Sequence, residues 1–185
     1  QDPKEVAWIT KLLRRGSRHL TPSNCPGLEP LFDAATPEDA AGKPPGGLSE
    51  LIHHHVAIGG TFDHLHSGHK ALLTMAAVLA SDKVSVGVTS DAMAAKDTKK
   101  RCGKKVMSSS ARRASVREFL AGLAPSLSLV VTAIDDAWGM TRTDPSIDAL
   151  VASAEFPHEG LRAAADKMRA EVGFRAMRLH STPLV

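Results

Sequence analysis

The string Gly59-Gly60-Thr61-Phe62-Asp63-His64-Leu65-His66-Ser67-Gly68-His69 packs glycines, a hydroxyl, a carboxylate and three histidines into eleven residues. These types at this spacing suit phosphate chemistry. Glycines let a phosphate approach the backbone without meeting a Cβ. A helix starting near Gly68 offers N–H groups and the positive end of its dipole to an anion. His66 and His69 stand three residues apart and project from one face of that helix. Each imidazole can donate a hydrogen bond to a phosphate oxygen or, when protonated, offset charge that develops in a transition state. Histidines at this spacing also occur in zinc sites. A third ligand is lacking, because Cys102 stands in no motif, and phosphate is the stronger reading. Asp63 has two readings: it orients a neighbour or a magnesium-bound water, or it caps the turn before the helix. The basic run Lys96–Lys105 reads as a solvated loop, a phosphate-facing loop or a nucleic-acid patch. The solvated loop is the plainest of these.

The elements around the string must hold it at the end of a strand. Residues 55–60 read as a buried strand ending in glycines, and 68–80 as a helix with apolar periodicity. Residues 83–89 read as a second strand, 109–122 as a helix and 127–134 as a third strand. A short strand within 146–153, a helix to about Val172 and a last strand over 176–185 complete the series. Strands alternating with helices predict an α/β domain built on a parallel sheet. Ligands bind such sheets at the carboxyl ends of the strands, where Gly59 and Gly60 lie. The run Ser108-Ser109-Ser110 ahead of Arg112 reads as a helix N-cap.

Residues 1–50 differ in character. The first 20 have the spacing of a short basic amphipathic helix, with Val6, Ile9, Leu12 and Leu13 between cationic residues. Pro22, Pro26, Pro30, Pro37, Pro44 and Pro45 then mark a linker or poorly ordered segment up to a boundary near Leu48. The expected domain is therefore 51–185. Two separated cysteines form no disulfide framework and suggest a reducing, cytoplasmic setting, or an organelle if a targeting sequence was removed. No apolar run is long enough to cross a membrane. The net charge of +3 suits an anionic substrate and nucleic acid alike and decides between neither. Aromatics are not interleaved with basic residues, which argues against a nucleic-acid platform. Nothing in the sequence speaks to oligomeric state.

The signature resembles the T/H-x-G-H nucleotidyltransferases, and its form GGTFDHLHSGH is most similar to phosphopantetheine adenylyltransferases of the eukaryotic and archaeal type. The resemblance runs through most of 51–185. Val86–Asp91 resembles the family's second strand and turn. Arg112, Val116, Phe119 and Leu120 resemble its next helix. Asp136–Thr141 resembles a D-P-[YF]-G-P-[TA] segment, and Thr143–Glu155 resembles a strand leading to V-S-E-E-T. This second stretch separates the chain from the cytidylyltransferases, whose later arginine motif has no counterpart here.

The resemblance implies a Rossmann-like fold and transfer of the adenylyl group of ATP to 4′-phosphopantetheine, giving dephospho-coenzyme A and pyrophosphate. ATP would be held by Gly59, Gly60, Thr61, Phe62, Asp63, His66, Gly68 and His69. Thr61 and Lys96 would hold phosphopantetheine. His66, His69 and Lys96 are the expected catalytic residues, with Lys99 and Lys100 as rivals of Lys96. Mg²⁺ would arrive with ATP. Arg112 is expected to be structural. The kinase that completes coenzyme A is a candidate neighbouring domain.

Three departures stand out. Ala154 and Phe156 replace Glu and Thr of the family pattern. Asp166 replaces Asn ahead of Arg169, placing a negative charge near nucleotide phosphates or merely on a helix surface. The family's S-S-[ST]-x-x-[RK] phosphate motif has no counterpart before Val185, so the domain is expected to be truncated ahead of it. These departures keep two other functions in view: a non-catalytic nucleotide- or coenzyme A-binding protein, and cytidylyl transfer to a small phosphorylated alcohol.

Overall fold

Alternation along the strands decides which residues face which layer, because successive side chains of a strand point to opposite faces. Val56, Ile58, Val84, Val86, Val88, Val131, Ala149 and Val151 form one buried face. Ala57 and Leu150 belong to the other. The computed structural model describes residues 52–98, 106–153 and 158–182. The expected N-terminal helix and the proline-rich linker lie outside these residues.

The described elements are β1 (His53–Gly60), α1 (Ser67–Leu79), β2 (Ala80–Thr89), α2 (Asp91–Thr98), α3 (Ser109–Leu123), β3 (Ser128–Ile134), a 3₁₀ turn (Gly139–Arg142), β4 (Ala149–Ser153), α4 (His158–Glu171) and β5 (Arg178–Thr182). The sheet order is β3-β2-β1-β4-β5, and neighbouring strands pair in parallel. Strand order therefore reverses between β1 and β4. Ligands settle in the crevice outside such a switch point. The parallel α/β sheet expected from the alternation, and the Rossmann-like arrangement that the resemblance implies, are what the sheet shows.

One face of the sheet is covered by α1 and α3, through Leu72, Leu73, Met75 and Ala76 of the first and Val116 and Leu120 of the second. Each such fully buried large side chain contributes roughly 1.5–3 kcal/mol. The other face carries a smaller cluster of Ala57, Ile147, Ala165 and Met177, with Trp138 and Met140 packed against it.

The elements fall within a few residues of their expected places. Two were not anticipated. Helix α2, Asp-Ala-Met-Ala-Ala-Lys-Asp-Thr, carries no apolar stripe, so its period is invisible. The 3₁₀ turn is too short to show a period at all. The strand expected within 146–153 occupies Ala149–Ser153; ahead of it Ser146 donates to Asp144 in the turn, and Asp148 accepts the His55 N–H of β1.

Candidate active site

The signature leaves β1 at Gly60 and enters α1 at Ser67. Between them the backbone is held in an unusual shape: Phe62 and His64 have φ of +52° and +44°. Such conformations cost about 1–3 kcal/mol each and persist where surrounding contacts fix them. Those contacts are present. Phe62 is only 1% exposed and its side chain lies in the main core. Any contact that Phe62 makes with a nucleotide therefore comes from its main chain.

Arg112 fastens the loop from behind. It is fully buried. Its Nη1 donates to the Thr61 carbonyl at 2.8 Å and to Thr89 Oγ1 at 3.2 Å. Its Nη2 reaches Asp91 Oδ1 at 3.2 Å, and its Nε donates to the Met107 carbonyl at 2.8 Å. One guanidinium thus ties the loop after β1 to the turn after β2 and to the entry of α3. Asp63 adds a second tie by accepting the Met107 N–H at 3.0 Å, with His64 Nδ1 also 3.0 Å away. Burial pushes the Asp63 carboxyl up. The Met107 and His64 hydrogen bonds, with the nearby charge of Arg112, outweigh it and hold the group below its ordinary value. Of the two readings for Asp63, orienting a neighbour agrees with these bonds.

The two signature histidines come together. The rings of His66 and His69 are stacked, with centroids 3.9 Å apart and planes 29° apart. Phe62 leans on His69 at 5.3 Å. His66 is the N-cap residue of α1 and makes no side-chain cap hydrogen bond. The first turn of a helix, with its N–H groups and positive dipole end, is the usual basis of an anion site. Gly68 makes the stacking possible. A Cβ there would stand 3.2 Å from the His66 ring. Gly60 faces the Phe62 ring in a similar way, and Gly59 is exposed.

Lys96 is exposed near the end of α2, and among the described residues no hydrogen bond or ion pair joins it to the signature. Lys99 and Lys100, like Ala154 and Phe156, lie outside the described residues. Ser108 caps α3 as expected, its hydroxyl accepting the Ala111 N–H at 3.3 Å. Asp166 is half-buried on α4. Among the described residues no group of three His, Cys, Asp or Glu could hold a metal ion. No described helix is long and apolar enough to cross a membrane.

A cavity of about 60 Å³ opens beside Gly59 on the sheet face opposite α1. Ala57, Gly59 and Leu150 form its floor, Trp138 and Met140 one wall, and Leu161 of α4 another. Asp136 fixes the mouth of that wall by accepting the N–H groups of Trp138 and Gly139 at 2.7 and 2.8 Å. These bonds hold the Asp136 carboxyl below its ordinary value. The cavity was not foreseen from the sequence, because its lining comes from distant stretches with no common motif. The Asp136–Thr141 match to a family segment was the one available signal.

Comparisons with known proteins agree with this geometry. A family model described as cytidylyltransferase-like matches residues 57–175. A phosphopantetheine adenylyltransferase of Pyrobaculum aerophilum is 38% identical over 122 residues, covering 66% of this chain and 74% of its own length. A phosphopantetheine adenylyltransferase of Saccharomyces cerevisiae is 32% identical over 127 residues, covering 69% of this chain and 40% of its own. An uncharacterised Schizosaccharomyces pombe protein is 39% identical over 99 residues, and the match spans 30% of it. The chain thus matches well under half of these fungal relatives and about three quarters of the archaeal one. A solved structure of a protein of unknown function from Archaeoglobus fulgidus superposes with a TM-score of 0.57 at 27% identity, covering 69% of this chain and 88% of that one.

The parallel sheet, its switch point and the histidine pair at a helix start define a nucleotide-binding transferase fold. The chain belongs to the cytidylyltransferase-like family, and within it to the phosphopantetheine adenylyltransferases.

Proposed function

We propose that this domain transfers the adenylyl group of ATP to the phosphate of 4′-phosphopantetheine, forming dephospho-coenzyme A and pyrophosphate in coenzyme A biosynthesis. The observation that carries this reading is the stacked His66–His69 pair at the first turn of α1. The relatives named as phosphopantetheine adenylyltransferases favour adenylyl over cytidylyl transfer.

A phosphate oxygen of the acceptor attacks the α-phosphorus of ATP. The new P–O bond forms as the bond to the β-phosphate bridging oxygen breaks, and the electron pair leaves with pyrophosphate. A phosphate is already a competent nucleophile, so positioning and charge stabilisation supply the catalysis. The N–H groups near Gly59, Gly60 and Thr61 hold phosphate, and the Thr61 hydroxyl orients the attacking one. His66 and His69 neutralise charge that develops at the α-phosphate. Gly68 keeps the histidine rings stacked over the helix start. Lys96 meets the incoming phosphate when ligand draws it in. Mg²⁺ travels with ATP and is bound mainly by the nucleotide's own oxygens. The apolar cavity beside Gly59 takes the uncharged pantetheine arm, which leaves the acceptor phosphate at its mouth beside Thr61.

The test is pyrophosphate release from ATP, Mg²⁺ and 4′-phosphopantetheine, with and without His69→Ala. Removing one transition-state donor should lower kcat about 100-fold or more. Turnover unchanged in the variant would overturn the catalytic assignment of the pair.

A further inference from the structure

Arg169 on α4 is 1% exposed, and its donors all go to main-chain carbonyls. Nε donates to Arg175 at 2.8 Å. Nη1 donates to Thr141 at 3.0 Å and Asp144 at 2.9 Å. Nη2 donates to Pro145 at 3.3 Å and Ile147 at 3.2 Å. The Phe174 ring lies under the guanidinium, 5.0 Å from it. A guanidinium has five N–H groups in one rigid plane, and here each has an acceptor. Burial works against the charge, while Asp144 and Asp148 favour it from nearby.

Four of these five carbonyls belong to one stretch, residues 141–147. Carbonyl oxygens turned toward one point repel each other unless a cation sits among them. The path of this stretch is therefore dictated by Arg169. Its first residue, Thr141, is also the last residue of the cavity wall that begins at Trp138. The Thr141 N–H and hydroxyl both go to the Trp138 carbonyl, at 2.9 and 2.6 Å. These two bonds join the wall to the stretch.

We infer that Arg169 is a positioning residue for the acceptor: from the far side of the 141–147 stretch it sets how far the Trp138–Thr141 wall stands from Gly59. This rests on the assignment of that cavity to the pantetheine arm. Arg169 lies behind the wall and acts on the ligand only through it.

The test uses the full chain carrying Trp8→Phe, so that Trp138 is the one fluorophore at the cavity. Titration with 4′-phosphopantetheine reads the Kd of the acceptor, and calorimetry reads that of ATP. In Arg169→Lys the ammonium reaches one or two of the carbonyls. The acceptor Kd should rise about 10-fold or more, while the ATP Kd changes less than about threefold. In Phe174→Leu, which keeps all five donors, the acceptor Kd should rise about two- to fivefold. A purely structural role would lower the folded fraction and leave both constants alike in the protein that binds. The inference is overturned if acceptor affinity is unchanged in either variant that folds, if both affinities fall in parallel, or if the parent chain binds no 4′-phosphopantetheine. Acceptor binding that shifts as described, without turnover in the parent, would instead sink the proposed reaction and leave the role of Arg169 standing.

Discussion

The buried Arg112 and the half-buried Asp63 explain why the signature loop keeps a shape that its backbone resists. Asp63 and Arg112 meet at Met107, one on its N–H and one on its carbonyl. Asp63→Ala should cost about 1–3 kcal/mol in urea unfolding, because it orphans a donor. Asp63→Asn keeps an acceptor oxygen and should cost less than half of that. Equal losses in the two variants would show that the carboxylate charge, and not the hydrogen bond, holds the loop. At this scale the signature itself was legible, because its residues are consecutive and their chemistry follows from type and spacing. The buried guanidiniums were only partly so. Arg112 was expected to be structural, but its partners Thr61, Thr89 and Asp91 come from the loop after β1, the end of β2 and the start of α2. Arg169 entered only as a landmark, and its five carbonyls are a product of the fold. His55 was read simply as part of a buried strand, yet its ring is fully buried between Ser85 and Ser146 hydroxyls at 2.7 and 2.9 Å.

Elements were placed by periodicity, and periodicity succeeds where an element has one covered face. Helices α1 and α3 each pack on the sheet and show the pattern. Helix α2 does not, and its last residues, from Lys96, were read as the start of a basic loop. The short strand expected within 146–153 lies at Ala149–Ser153, because Ser146 is held by Asp144 and Asp148 by His55 before the ladder begins. Packing between β3 and the 3₁₀ turn gives a sharper test of the architecture. Gly139 has φ of +44°, and a Cβ there would come within 2.5 Å of Ile134 Cγ2. Gly139→Ala should destabilise the domain by about 1–3 kcal/mol in urea unfolding, through both strain and overpacking. Gly122, exposed on α3, has nothing within 4 Å of its Cβ position. Gly122→Ala should stabilise by roughly 0.5–1 kcal/mol through helix propensity. A neutral Gly139→Ala would mean that the turn can move away from the sheet.

At the scale of the molecule, two ends of one sheet have separate duties. The carboxyl end carries the signature and the cavity. The amino end carries a polar cluster in which His55 and Ser146 meet Asp144, itself 3.5 Å from Lys83. Burial, first, and the Lys83 charge hold His55 below the ordinary value of a histidine, against the opposing pull of Asp144 and Asp148. His53 is shifted the same way, chiefly by burial. The unfolded chain therefore takes up protons at a higher pH than the folded one. Stability should be full above about pH 6.5 and fall as pH drops below it. The lowered carboxylates Asp63, Asp136 and Asp144 add a loss only at lower pH, as acidity reaches their own range. Melting temperature should therefore decline between pH 7.5 and 5.5, and His55→Gln should flatten that decline. An unchanged slope in the variant would remove His55 from the account. The central claim concerns the other end of the sheet and its choice of substrate. It is tested most directly by mass spectrometry of the products formed from 4′-phosphopantetheine with ATP or CTP. The account predicts dephospho-coenzyme A with ATP, and no product when CTP replaces ATP or when pantetheine without its phosphate replaces the acceptor. A cytidylyl product, or no dephospho-coenzyme A from ATP, would contradict it.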